Sequence, residues 1–216
     1  MACIIGLPWR FILAPGRMQT HGLTRNGGET DLFQRMIGAA MLRRQTFEEV
    51  EHDSAATSQA VMVVVIVAMA TGIGSLGSGV DGAPKGVGVF IGGVIGSLVG
   101  WAVWAWITYF IGTRLLRDQD THADWGQLAR TLGFAQSPGI FKVLGVIPGV
   151  GLTIFIIAVI WQLVAMVIAI QQALDYTSTW RAVGVALVGF IPYIIFQTLV
   201  VTLVLAVLGS GQAPPT

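Results

Sequence analysis

The densest group of side chains able to hold a metal is Glu48, Glu49, Glu51, His52 and Asp53. Glu49-x-x-His52 has the spacing of half a carboxylate-bridged di-iron site, in which residues three apart share one helix face. Such sites take two of these motifs plus further glutamates from other helices, and the sequence carries no second motif. The group therefore reads as a solvated acidic turn. His21, His52 and His122 all fall outside the apolar runs. A histidine-ligated haem or chlorophyll inside a membrane is thus not expected, while other axial ligands stay open. The sequence has no HExxH, GxSxG or P-loop spacing. Cys3 is the single cysteine, which excludes an intrachain disulfide. No catalytic, metal-ligating or cofactor-binding residue is assigned; a non-enzymatic protein is expected, and the sequence implies no cofactor.

A second set of polar residues lies inside apolar runs: Gln136, Pro138, Lys142 and Gln162. A charged side chain at the centre of a bilayer costs about 3 kcal/mol and marks a functional site by default. Lys142 also lies only a few residues before Pro148, so its stem can snorkel to the surface. Pro138 removes a backbone donor, which a membrane tolerates where neighbours satisfy the freed groups. Gln162 and, further on, Gln197 can cross-bond helices, a contact worth about 1 kcal/mol. Asp175 and Arg181 can pair across a short loop. Gln136, Pro138, Lys142 and Gln162 together form a candidate intramembrane polar site.

Composition determines what positions these groups. Of 216 residues, 54% are hydrophobic and 11% are charged, against about 25% charged in soluble domains. The mean hydropathy is +0.75. These values place the chain in a membrane. No basic stripe with interleaved aromatics lies outside the apolar runs, so no nucleic-acid partner is expected.

The stretch Gly86–Thr113, GVGVFIGGVIGSLVGWAVWAWITYFIGT, contains no charge. As a helix it is about 42 Å long, ample for a hydrocarbon core of about 30 Å. Gly88, Gly92, Gly96 and Gly100 recur every four residues and line one stripe. Such a stripe lets another helix approach at backbone distance. Packing inside one bundle is the plain expectation; an oligomer interface or a close ligand contact is the sharper one. Trp101, Trp104, Trp106, Tyr109 and Phe110 crowd its later half, as at a membrane–water boundary, although Trp101 and Trp104 also suit deeper protein contacts.

Further apolar runs predict spans over Ser58–Leu76, Leu128–Ile147, Leu152–Gln171 and Val183–Leu208. The tight turn Pro148-Gly149-Val150-Gly151 separates the middle two. The fold expected is all-α: a bundle of five transmembrane helices preceded by a cytoplasmic amphipathic helix. A four-span version, with Leu128–Ile147 in the interface, is the rival. Residues 1–31 form an irregular arm, residues 32–55 amphipathic interfacial helices, residues 56–208 the membrane domain and residues 209–216 a short tail. The N-terminus lacks the early charge and unbroken apolar run of a signal peptide. Leu32, Phe33, Met36, Ile37, Ala40 and Met41 share one face at helical spacing. Arg35, Arg43 and Arg44 lie off that face and suit contacts with lipid head groups. Thr46 and Glu49 match a capping box, so a second short helix is predicted to start there.

Six arginines precede the first span: Arg10, Arg17, Arg25, Arg35, Arg43 and Arg44. Arg114, Arg117, Arg130 and Arg181 fall on the same side in a five-span count, and only Lys85 lies in a loop opposite. The positive-inside rule then gives a cytoplasmic N-terminus and an exported C-terminus.

Several stretches carry a family resemblance. TFEEVEHD runs into the first span, YFIGTRLL ends the second, and WGQLARTLGFAQSP enters the third. Gly133-Phe134-Ala135 followed by Pro138 resembles the Gly-Tyr-Ala…Pro element of the YIP-domain family, the Ypt/Rab-interacting-protein-like membrane proteins. The resemblance covers Phe33 to Leu208. It implies five spans with the N-terminus inside, and it transfers no catalytic residue. Eukaryotic relatives bind prenylated Rab GTPases. This sequence lacks their Asp-Leu-Tyr-Gly-Pro element and is more similar to the short prokaryotic branch, which implies a prokaryotic cytoplasmic membrane. The expected function is non-enzymatic: an accessory or assembly subunit working through contacts with other integral membrane subunits and lipids, with a homo-oligomer as one form. A transporter, channel or lipid-handling protein using the polar third span is the alternative.

Overall fold

The structure is a computed structural model that describes residues 27–76, 87–117 and 123–209. Most of the N-terminal arm, the Lys85 loop, His122 and the tail after Gly209 lie outside these residues. Within them every regular element is helical. Four helices are long and apolar enough to cross a membrane: α3 (Ala56–Ser75), α4 (Val87–Phe110, continued by a π turn over Ile111–Leu115), α6 (Gly151–Ala173) and α7 (Thr179–Gly209). Two shorter helices precede them, α1 (Gly27–Ala40) and α2 (Arg44–His52), and α5 (Trp125–Phe134) lies between α4 and α6.

The expected third span is not one helix. α5 ends at Phe134, and Ser137–Val146 continues as a ten-residue 3-10 segment. Runs of that length are uncommon in 3-10 geometry. Pro138 enters at its start and supplies no backbone donor. Close packing holds the rest. A Cβ on Gly133 would strike Ala60, one on Gly139 would strike Val67, and one on Gly145 would strike the Gly74 carbonyl. The contacts step by seven residues along α3 and by six along the third segment. Seven residues are two turns of an α-helix and six are two turns of a 3-10 helix, so the two periods mesh. The spacing continues to Gly151, where a Cβ would meet the Gly145 carbonyl. Glycine is required here because backbones touch.

The N-terminal region also departs from expectation. Helix α1 begins at Gly27, earlier than the predicted Leu32. It ends in a Schellman turn: Leu42 N–H donates to the Ala39 carbonyl and Arg43 N–H to the Gly38 carbonyl, both at 3.0 Å. Leu42 takes the left-handed position at φ 59°, which glycine would fill without steric cost. This turn launches α2 at Arg44, ahead of the predicted Thr46 start, and no side chain caps it. Thr46 instead packs on Gly38 inside the first turn. The single apolar face expected on α1 is split. Leu32, Met36 and Ala39 are buried, whereas Phe33, Ile37 and Met41 are 57–58% exposed.

At the opposite side of this end, Tyr176 follows α6. Its hydroxyl lies 2.9 Å from the Gly112 carbonyl and 2.8 Å from that of Leu116. One carbonyl lies within the π turn and the other just after it, so the tyrosine serves groups at the altered helix end. The core runs through Phe47, Val63, Leu128, Leu132, Phe134 and Ile170.

Candidate functional site

Three of the four predicted polar residues meet. The Gln162 side-chain amide donates to Gln136 Oε1, joining the middle of α6 to the junction between α5 and the 3-10 segment. Lys142 lines the same space. Pro138 is fully buried in the framework. The space is a cavity of about 400 Å3. It lies between α3, the 3-10 segment, α4, α6 and α7, with Thr71, Ser97, Trp101, Trp104, Tyr193 and Gln197 adding polar atoms to its wall.

Most of these groups are satisfied locally. The Thr71 hydroxyl donates to the Val67 carbonyl at 2.8 Å and the Ser97 hydroxyl to the Gly93 carbonyl at 2.8 Å. The Trp101 indole donates to the Ala129 carbonyl at 3.0 Å, tying α4 to α5. Trp104 differs: it is 3% exposed, and its indole nitrogen has no partner. Gln197 Oε1 is likewise buried without a donor. Among the described residues, Lys142 is the single charged side chain in the wall. Its ammonium lies 5.7 Å from the centroid of the Phe155 ring, within cation–π range.

The glycine stripe divides in two. A Cβ on Gly100 would sit against the Tyr193 hydroxyl and Gln197, so α7 covers that position. Cβ atoms on Gly88, Gly92 and Gly96, and on Gly93 beside them, would meet nothing within 4 Å. Among the described residues, packing within this chain therefore uses only the last glycine of the stripe.

Arg35, expected to face lipid head groups, is turned into the protein and is 8% exposed. Its guanidinium donates to Glu49 Oε1 at 2.9 Å and 3.1 Å and to Gln59 at 2.9 Å, and it pairs with Asp53 at 2.8 Å and Asp31 at 3.4 Å. It thereby locks α1 to α2 and to the start of α3. Arg43 and Arg44 are exposed at the start of α2. The hydrogen bond from Arg35 holds the Asp53 carboxyl below its usual range.

The acidic turn is only partly solvated, because Glu51 is 3% exposed. Burial first, then the nearby Asp175, raises its carboxyl to about 7; Glu48 adds to this, while His52 and Arg130 oppose it. Arg130 donates to the Val50 carbonyl at 3.2 Å and to the Glu51 carbonyl at 2.6 Å. A cation thus meets the carbonyl end of α2, as its dipole favours. His52 is raised by the Glu48 carbonyl 2.9 Å from its Nδ1 and by the Glu51 carboxylate.

Sequence reasoning missed Trp104, Tyr193 and Ser97 as cavity residues. Polar residues in apolar runs signal themselves, but aromatics and small residues there are ordinary. No curated protein and no solved structure matches the chain. Four apolar helices of spanning length mark an integral membrane protein, and a family model described as the Yip1 domain matches residues 39–209. The match covers most of the chain and takes in α2 through α7, so this protein belongs to the Yip1-domain family.

Proposed function

We propose that this chain is a non-enzymatic accessory or assembly subunit that docks another integral membrane subunit on the first half of α4. The observation that carries this reading is the bare stripe Gly88, Gly92 and Gly96. Each glycine in a helix costs about 1 kcal/mol relative to alanine, and among the described residues nothing uses the space they leave. A helix facing lipid alone has no need of such positions, whereas a helix facing another helix uses them for close approach. A second copy of this chain fits the same argument.

The topology that goes with this reading has five crossings in a prokaryotic cytoplasmic membrane. The ten residues of α5 rise about 15 Å, and the ten of the 3-10 segment rise about 20 Å. Together these lengths suit a core of about 30 Å. The N-terminus is then cytoplasmic and the C-terminus exported, with α1 and α2 at the cytoplasmic face. The exposed Phe33, Ile37 and Met41, with Arg43 and Arg44 close by, suit an interface with lipid.

The test is purification of the tagged protein in mild detergent, comparing wild type with a Gly92→Leu, Gly96→Leu variant. Wild type is expected to retain stoichiometric membrane polypeptides, or a second copy of itself. The variant is expected to lose them at least tenfold with unchanged yield, because a Cβ at either position meets none of the described residues within 4 Å. Wild type recovered as a lone monomer, or partners retained by the variant, would refute the proposal.

A transport or lipid-handling role is favoured by a separate observation, the polar cavity.

A further inference from the structure

The cavity walls combine three features. Lys142 gives one cation, and among the described residues no carboxylate pairs with it. Trp104 gives a buried N–H without an acceptor, and Gln197 a buried carbonyl without a donor. Val64, Ala68, Val159, Leu163 and Phe190 supply apolar surface. Each of the first two features is unfavourable alone. An unpaired buried polar group costs about 1–3 kcal/mol, and a charge in a bilayer costs more.

The features are also ordered along the bundle. Lys142 lies by Gly74, near the end of α3 far from α2. Gln197 and Tyr193 lie by Gly100, further along α4 toward Trp104. The cavity therefore has a cationic end and a neutral hydrogen-bonding interior. Its volume of about 400 Å3 falls at the small end of ligand sites, which run from about 300 to 1,000 Å3.

We propose that this cavity binds one anionic amphiphile, with its acidic oxygens at Lys142 and an ester or hydroxyl linkage reaching Trp104 and Gln197. An acceptor oxygen in the linkage takes the Trp104 N–H, and a hydroxyl donates to Gln197 Oε1. The acyl part lies against the apolar wall. Two sources share the anionic head and acyl chain: a glycerophospholipid, which has the linkage, and a free fatty acid, which lacks it.

The test uses the purified full chain in phosphatidylcholine nanodiscs, so its outcome does not depend on whether α4 docks a partner. The probes are diazirine-bearing phosphatidylglycerol and diazirine-bearing palmitate, with photolabelled residues mapped by mass spectrometry. Saturable labelling of the cavity walls is expected, competed by the unlabelled lipid. Lys142→Met should weaken it at least tenfold, and Lys142→Arg should keep it within about threefold. Ser97→Leu, which fills the cavity and leaves the lysine intact, should block labelling and so guards against misfolding of the lysine variant. Trp104→Phe should weaken the phospholipid probe alone if the source is a glycerophospholipid. Saturable wall labelling by palmitate only, indifferent to Trp104→Phe, would assign the fatty acid and overturn the linkage. Labelling spread over the lipid-facing surface, unsaturable and unchanged in Lys142→Met, would overturn the site.

Discussion

Glu51→Gln should make this protein more stable at neutral pH. Glu51 is buried beside Asp175, which stands at φ 51° in the turn after α6, with Arg130 at the α2 carbonyls. Its carboxyl is held at about 7 against an ordinary 4.5. Below pH 4.5 it is protonated in both the folded and unfolded chain, and the site costs nothing. Between there and pH 7 the unfolded chain releases the proton while the folded chain keeps it, so stability falls as pH rises. Above pH 7 the loss levels off. Each tenfold change in proton affinity is about 1.4 kcal/mol, which gives a total near 3 kcal/mol as an upper bound. Glutamine keeps the volume and removes the titration. Its variant should therefore show a flatter profile across this range, with only the His52 slope left, and exceed wild type most at pH 7 and above. The assay is hydrogen exchange at the α2 amides, with thermal unfolding in detergent, from pH 4.5 to 8.5. His52, also raised, stabilises the fold below its ordinary value and loses that contribution as pH rises through its folded value. It acts in the same direction, so a His52→Gln control is needed to separate the two. Asp53, lowered by Arg35, works oppositely: its contribution is present above its ordinary 3.8 and is lost as pH falls below it, outside the range used. Parallel profiles for wild type and Glu51→Gln, or wild-type stability that rises from pH 5 to 7, would refute the reasoning.

Gly74→Ala should destabilise by about 2 kcal/mol or more, since overpacking costs about 1–3 kcal/mol and the obstacle is the Lys142 backbone carbonyl. Gly88→Ala, with nothing within 4 Å, should be neutral or stabilising by up to about 1 kcal/mol in the isolated chain; thermal unfolding of both variants checks the contrast. Arg35→Met should cost about 1–3 kcal/mol. This is less than the 3–5 kcal/mol for breaking a fully buried pair, because the partner carboxylates are 34–58% exposed. Limited proteolysis should find α1 released first.

The spans were legible because a bilayer demands an unbroken apolar length. Ser58–Leu76 and Leu152–Gln171 were expected, and Ala56–Ser75 and Gly151–Ala173 are found. What lies against each face was not legible. Helical spacing put Leu32, Phe33, Met36 and Ile37 on one side of α1, but not which of them would have a neighbour. Arg35 suited a head group by position, yet Glu49 and Asp53 return to it through a left-handed turn at Leu42 that no glycine announces. The glycine spacing of four in α4 stood out because it matches the familiar helical repeat. The spacing of six through Gly133, Gly139, Gly145 and Gly151 was equally present in the sequence; its middle two glycines lie in the 3-10 segment, while Gly133 is in α5 and Gly151 opens α6. Gln136 and Gln162 declared the polar site because amides are rare in lipid. Trp104 did not, since its unpaired nitrogen depends on where Phe190 and Tyr193 pack edge-to-face against it.

The two proposals rest on one asymmetry. At the α2 end most polar groups find partners inside the chain, the buried Thr108 hydroxyl excepted: Arg35 with its carboxylates, Arg130 with the α2 carbonyls, Tyr176 with the π turn, Trp101 with α5. Toward the other end, α3, the 3-10 segment and α6 are held by glycine backbone contacts, while α4 shows bare glycines and the cavity keeps unmatched polar atoms. Each of these features lowers the stability of the isolated chain, and among the described residues nothing offsets it locally. A fold remains stable with such defects when they are confined to one region and the remainder is well tied. Concentration along α4 and in the space beside it is what a binding region requires. Random loss of packing would instead scatter unsatisfied groups through α5, the 3-10 segment and α6, where Thr131, Ser137 and Gln171 are buried and engaged.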